Sequence, residues 1–151
     1  KISSSQIRHC LLEGKIDESI KLLGYPYQLT GIVIKGDQLG RKIGYPTANL
    51  LIIDTEKLIP AGGVYAVSVK IYIDENPIKK FGMMNIGYRP TIENSSLIKI
   101  ETHILDFDQD IYHELMTIQP GRKIRNEIKF ESIEELKMQI KADLAQVHVT
   151  S

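Results

Sequence analysis

The segment from Val64 to Ile73 constrains this chain most, because its side chains alternate. Tyr65, Val67, Val69, Ile71 and Ile73 fall on one side, and Ala66, Ser68 and Lys70 on the other. That period of two is the signature of a strand with one face buried. Asp74-Glu75-Asn76-Pro77 then reads as a hairpin turn, with Ile78 to Ile86 returning. Similar short strands are predicted at Tyr27 to Lys35, Asn49 to Ile53, Leu97 to Phe107 and Ile111 to Gln119. Between them lie a turn-rich link through Pro60, Gly62 and Gly63, a loop at Gly87 to Thr91 and a turn at Asp108-Gln109-Asp110.

Both ends read as helical. Ser3 to Ser5 offer N-cap hydroxyls to a first helix carrying Ile7, Cys10 and Leu11, with Gly14 as its stop. Asp17 can cap a second helix that carries Ile20 and Leu23 and ends at Gly24. Near the far end, Ser132-x-x-Glu135 is a capping box. Ile133, Leu136, Ile140, Leu144 and Val147 then mark one face of a helix to about Gln146. Short strands joined by tight turns and closed by a helix predict a small antiparallel barrel. Periodicity alone leaves open whether the sheet closes.

Composition narrows the function classes. A chain of 151 residues suits one domain, or one domain with an appendage. Nineteen basic and nineteen acidic residues cancel, so no global pull toward nucleic acid or membrane is expected. Cys10 is the sole cysteine, which precludes an internal disulfide and fits a cytoplasmic setting. No apolar run approaches the roughly 18 residues of a membrane span, and no signal peptide is visible. The first residue is Lys1, so the chain reads as a fragment or a trimmed form. His9, His103, His113 and His148 show no zinc-type spacing.

The chemistry points to residues 31 to 50. After the apolar Ile32 to Ile34, glycines recur at Gly36, Gly40 and Gly44, with Asp37, Arg41 and Lys42 between them. Such a loop can present successive N–H groups to an anion, and Arg41 and Lys42 add positive charge. It is neither a P-loop nor a dinucleotide fingerprint, and in isolation the same spacing also suits a plain flexible hairpin. Pro46-Thr47-Ala48-Asn49 follows. If the chain stays extended there, Thr47 and Asn49 point to one side. Their hydroxyl and amide oxygens are neutral, hard ligands suited to Mg²⁺ when phosphates supply the negative charge. A turn serving only local geometry is the other reading.

The run Gly31-x-Val33-x-x-Gly36-Asp37-x-x-Gly40-Arg41-x-Ile43-Gly44-Tyr45-Pro46-Thr47-Ala48-Asn49-Leu50 closely resembles the signature of riboflavin kinases. Its nearest match is the kinase module of the bacterial bifunctional riboflavin kinase/FMN adenylyltransferases. The resemblance implies a six-stranded antiparallel Greek-key barrel with a C-terminal helix and a short N-terminal helical segment. It further implies that Thr47 and Asn49 bind Mg²⁺ with ATP, and that Gly36, Gly40, Arg41, Lys42 and Gly44 belong to a flap over the nucleotide. Residues 1–24 then correspond to a helical remnant of the adenylyltransferase domain with its linker, and residues 25–151 to the kinase domain. Ile2-Ser3-Ser4-Ser5-Gln6-Ile7-Arg8 resembles the motif that closes that transferase half. The His-x-Gly-His motif the transferase needs is missing from the sequence.

Three more blocks carry the resemblance. Glu101-Thr102-His103-Ile104-Leu105-Asp106-Phe107 matches the family's Glu-x-His-Ile-x-Asp-Phe, where the Glu is the catalytic base. Alternation puts Lys99, Glu101, His103 and Leu105 opposite the apolar Ile98, Ile100 and Ile104, so a solvated strand glutamate is the plain reading. His103 reads as a packing or surface residue. Gly82 to Thr91 matches Gly-Met-x-Asn-Ile-Gly-x-Arg-Pro-Thr, placing Asn85 and Arg89 near the flavin and nucleotide sites. Arg122 to Phe130 resembles a second flap beside the flavin; Arg125 is expected either to contact flavin or phosphate, or to pair with Glu127 or another acid. Two departures stand out: His113 replaces the usual Gly after Asp-x-Tyr, and Pro120 replaces a customary Phe and should break its strand early. The implied activity is phosphorylation of the riboflavin 5'-hydroxyl by Mg-ATP to give FMN and ADP. The partners are then small molecules, not nucleic acid or membrane, with an N-terminal adenylyltransferase domain in the intact protein. A non-catalytic flavin-binding barrel is the alternative.

Overall fold

The computed structural model describes residues 4–36, 38–90, 92 and 96–150; Ile2, Ser3, Asp37, Thr91 and the side chain of His148 lie outside what it describes. In chain order the elements are α1 (Ser4–Leu12), α2 (Ile16–Leu23), β1 (Leu29–Ile34), α3 (Leu39–Lys42), β2 (Ala48–Ile52), β3 (Gly63–Tyr72), β4 (Ile78–Pro90), β5 (Ser96–Ile104), β6 (Leu115–Arg125) and α4 (Ile133–Thr150). The strands close into a barrel in the order β1-β2-β5-β4-β3-β6, every pair antiparallel. Because β5 and β4 stand between β2 and β3, the chain between those two strands must cross the barrel end, which gives the Greek key.

Alternation sorts the side chains as the sequence indicated. Tyr65, Val67, Val69 and Ile71 point into the barrel with Leu29, Val33, Met84, Ile86, Ile100, Met116 and Ile118, all essentially buried. A second apolar cluster lies outside: Val64, Ala66 and Met83 on the strands meet Val147, Ile140 and Leu144 on α4. The helix therefore covers one outer face of the barrel. Its start uses half of the expected capping box: the Glu135 N–H donates to Ser132 Oγ at 3.2 Å, while the Glu135 carboxylate accepts from the Glu131 N–H at 3.3 Å.

The two N-terminal helices close one end. Leu11 and Ile16 belong to the same buried cluster as the barrel interior. Gly14 and Gly24 end their helices at positive φ, as expected. Asp17, expected as a cap, sits instead in the first turn of α2; Lys15 precedes the helix and makes no side-chain cap. The crossing between β2 and β3 is pinned beneath these helices. The Ala61 N–H donates to Leu11 O at 3.0 Å. Tyr27, Tyr65 and Tyr88 donate their hydroxyls to Leu58 O, Ala61 O and Pro60 O at 2.6, 2.6 and 2.8 Å.

Several boundaries differ from the sequence reading. β4 runs through the expected loop to Pro90, and the glycine stretch contains the one-turn α3. Pro120 does not break its strand. β6 continues to Arg125, with Pro120 opposite Val67, and the ladder to β3 shifts register twice, between Val64/Tyr65 and Tyr65/Val67. A proline cannot donate to a ladder, and local bulging lets the strand bend past it.

His113 adopts φ 72°, within a turn whose backbone bonds to Val33. A β-carbon is disfavoured in that region, which accounts for glycine being usual there. His113→Gly is expected to stabilise the fold by about 0.5–1 kcal/mol, raising the melting temperature by about 3 °C. A lower melting temperature would contradict this. Burial pushes the Tyr65 hydroxyl up to about 12. Below about pH 10 the phenol is neutral in both folded and unfolded chains; above it the unfolded chain ionises first, so stability should fall between about pH 10 and 12. Urea unfolding across that range checks this, and a constant midpoint would refute it.

Candidate active site

Glu101 stands outside the barrel because its neighbours Ile100 and Thr102 stand inside. Cross-strand partners share a face, so the register builds a polar row on the outer surface. Glu101 lies opposite Asn49 on β2 and opposite Asn85 on β4. Lys99 shares that face, with its ammonium 3.2 Å from the Glu101 carboxylate. The pair is about three-quarters buried, which makes it firmer than a surface ion pair.

Around this row lies a cavity of about 570 Å³. Of the residues singled out from sequence, Gly40, Thr47, Asn85, Arg89, Glu101, His103 and Arg125 line it. Its apolar walls come from Ile43, Met83, Ile128, Phe130, Leu136 and Ile140. A smaller cavity of about 210 Å³ adjoins the Pro46-Thr47-Ala48 segment, and Arg41 lines it with Phe107, Asp110 and Tyr112. Thr47 lines both. The hydroxyl of Thr102, buried and without a hydrogen-bond partner, belongs to the smaller cavity. A buried hydroxyl without a protein partner beside a cavity has room to bond to water or to a bound polar atom.

Asn49 is buried, and a Cβ at Gly36 would overlap its side-chain amide. Gly36 is thus required by close approach. Gly40 plays the same part against the Tyr45 carbonyl, while its own carbonyl accepts from the Tyr45 N–H at 2.7 Å. The loop therefore folds back on the strand carrying Thr47. Lys42 and Gly44 are exposed and line neither cavity.

Thr47 and Asn49 supply one hydroxyl and one amide oxygen. Among the described residues no cluster of three His, Cys, Asp or Glu side chains could hold a metal. This donor set fits Mg²⁺ that arrives with a polyphosphate, since that ion keeps few protein ligands and completes its shell with phosphates and water.

Arg125 reaches an acid other than Glu127. Its Nε donates to Asp143 Oδ2 on α4 at 2.9 Å, and Gln139 donates to the other carboxylate oxygen at 2.9 Å. Asp143 is almost wholly buried, so the pair pins α4 to the end of β6. Its sequence signal was a carboxylate within the apolar stripe of Leu136, Ile140, Leu144 and Val147. His103, read from sequence as a packing or surface residue, packs edge-on against Tyr45, and its Nδ1 also lies 2.7 Å from Pro46 O, a partner the sequence did not indicate.

Comparison with known proteins agrees with this geometry. The riboflavin kinase (flavokinase) family model matches residues 23–150. A bifunctional riboflavin kinase/FMN adenylyltransferase of Listeria monocytogenes is 43% identical over 95% of the chain, which spans 44% of that protein. A Streptococcus pneumoniae structure named a macrolide-efflux protein superposes with a TM-score of 0.90 at 40% identity, covering 98% of this chain and 47% of its own. No helix among the described residues is long and apolar enough to cross a membrane. Riboflavin kinase from Trypanosoma brucei shares the fold, with a TM-score of 0.56 at 23% identity over 83% of this chain and 79% of its own. The chain belongs to the riboflavin kinase family.

Proposed function

We propose that this chain transfers the γ-phosphoryl of ATP to the 5'-hydroxyl of riboflavin, giving FMN and ADP. One observation carries the reading: Glu101 lies in register between Asn49 and Asn85, on the wall of a cavity that meets a second cavity at Thr47. The larger cavity has the volume and apolar walls a flavin ring needs. The smaller one, lined by Arg41 and Thr47, has room for part of the nucleotide and takes its phosphate end. Thr47 and the buried Asn49 are the residues that would hold Mg²⁺ with the phosphates, beneath the glycine loop. The metal's chemistry there is charge neutralisation on the β- and γ-phosphates.

Glu101 accepts the proton of the 5'-hydroxyl as the hydroxyl oxygen bonds to the γ-phosphorus. The bond to the bridging oxygen breaks, and ADP leaves with its electron pair. Lys99 keeps the carboxylate oriented until substrate arrives. Asn85 and Arg89 face the flavin cavity. Arg125 shapes that cavity through Asp143. His113 and Pro120, the two departures from the family pattern, line neither cavity, so neither touches the proposed site. In the intact protein a further domain is expected to adenylylate FMN, as in relatives named for both activities.

Incubating the chain with riboflavin, ATP and Mg²⁺ should yield FMN and no FAD by chromatography, and EDTA should abolish the product. Riboflavin bound without turnover would instead establish the binding module. Glu101→Gln should lower kcat by about 100-fold or more while riboflavin binding persists; near-normal turnover would remove the base assignment. Gly36→Ala, by displacing Asn49, should weaken Mg-ATP binding about ten-fold in calorimetry, and an unchanged affinity would refute that role for the loop.

A further inference from the structure

The β2–β5 ladder is short. It pairs Ala48 with Thr102 and Asn49 with Glu101. Tyr45, Pro46 and Thr47 precede β2, so no strand pairing holds them to β5. Yet Thr47 lines both cavities and must keep a fixed position relative to Glu101.

His103 supplies the missing tie. It lies two residues beyond Glu101 on the same outer face of β5, and its Nδ1 is 2.7 Å from the carbonyl oxygen of Pro46. A carbonyl only accepts, so Nδ1 carries the hydrogen. The ring also meets Tyr45 edge-to-face, with centroids 5.7 Å apart and planes at 82°. Tyr45 in turn donates its N–H to Gly40 in the loop. One imidazole thus links the strand of Glu101, the peptide leading into Thr47 and the glycine loop. With its proton committed to Pro46, Nδ1 cannot be the base.

We propose that His103 is a positioning residue that extends the β2–β5 ladder by a side-chain hydrogen bond, holding Thr47 in place for the phosphates. The proposal rests on the kinase reading of the site. Its test compares His103→Leu, which loses both contacts, His103→Phe, which keeps a ring against Tyr45 without a donor, and His103→Asn, whose amide nitrogen stands close to the position of Nδ1. Calorimetry with Mg²⁺ and a non-hydrolysable ATP analogue should show the Leu and Phe variants about ten-fold weaker than wild type, with Asn restored to within about three-fold. Because His103 also lines the larger cavity, riboflavin binding, followed by fluorescence quenching, should fall by no more than about three-fold in any of the three, clearly less than nucleotide binding falls in the Leu and Phe variants. Circular dichroism and melting should show the Asn and Phe variants folded as wild type.

Unchanged nucleotide affinity in the Leu and Phe variants would overturn the proposal. So would failure of Asn to restore it, or riboflavin affinity falling in step, which would make His103 a flavin contact. A wild-type chain that binds the analogue but makes no FMN would refute the kinase reading, while the affinity series still decides the role of His103.

Discussion

The site depends on the register of β5 between its two neighbours. Ile100, Thr102 and Ile104 fill the barrel, and that obliges Lys99, Glu101 and His103 to stand outside. A slip of one residue would drive a carboxylate and an ammonium into the apolar interior, at a cost no pairing there could offset. Barrel closure removes the free edges at which such a slip could be accommodated. The packing that stabilises the core is therefore the same constraint that aligns Asn49, Glu101 and Asn85 on one surface. Stability and site geometry have a common origin.

An outer barrel face makes an open shelf, and the rest of the chain turns it into a cavity. α4 packs on Val64, Ala66 and Met83. The Arg125–Asp143 pair fixes that helix against the end of β6, and residues 127–130 form a wall beyond it. On the other side, Gly36 and Gly40 let the loop approach Asn49 and Tyr45 more closely than any β-carbon would permit. The helical hairpin closes the barrel end and anchors the β2–β3 crossing through Leu11, while Tyr65 on β3 holds the same crossing from the barrel side. Tyr88 reaches from the cavity wall to that same crossing.

Much of this was legible in the chain. Alternation placed β3 and β5 and separated Glu101 from the core, because a period of two is a local property. The capping serine, the stop glycines and the Pro46-Thr47-Ala48-Asn49 segment are local as well. Closure was not legible from periodicity, since it depends on β1 meeting β6 far along the sequence. The same limit hid the partners of Arg125 and His103, which lie across long loops. Pro120 misled because a lone proline reads as a strand break, whereas two successive bulges, each adding a residue on β6, absorbed it. The one-turn α3 was hidden by glycines that usually disfavour helix.

A crystal structure of the chain with riboflavin, Mg²⁺ and a non-hydrolysable ATP analogue tests the central claim most directly. The flavin ring is expected in the larger cavity, with its 5'-hydroxyl about 2.6–3.2 Å from the Glu101 carboxylate. The γ-phosphate should lie beside Thr47, on the side of the Glu101 carboxylate. A flavin in the smaller cavity, or a 5'-hydroxyl directed away from Glu101, would contradict it.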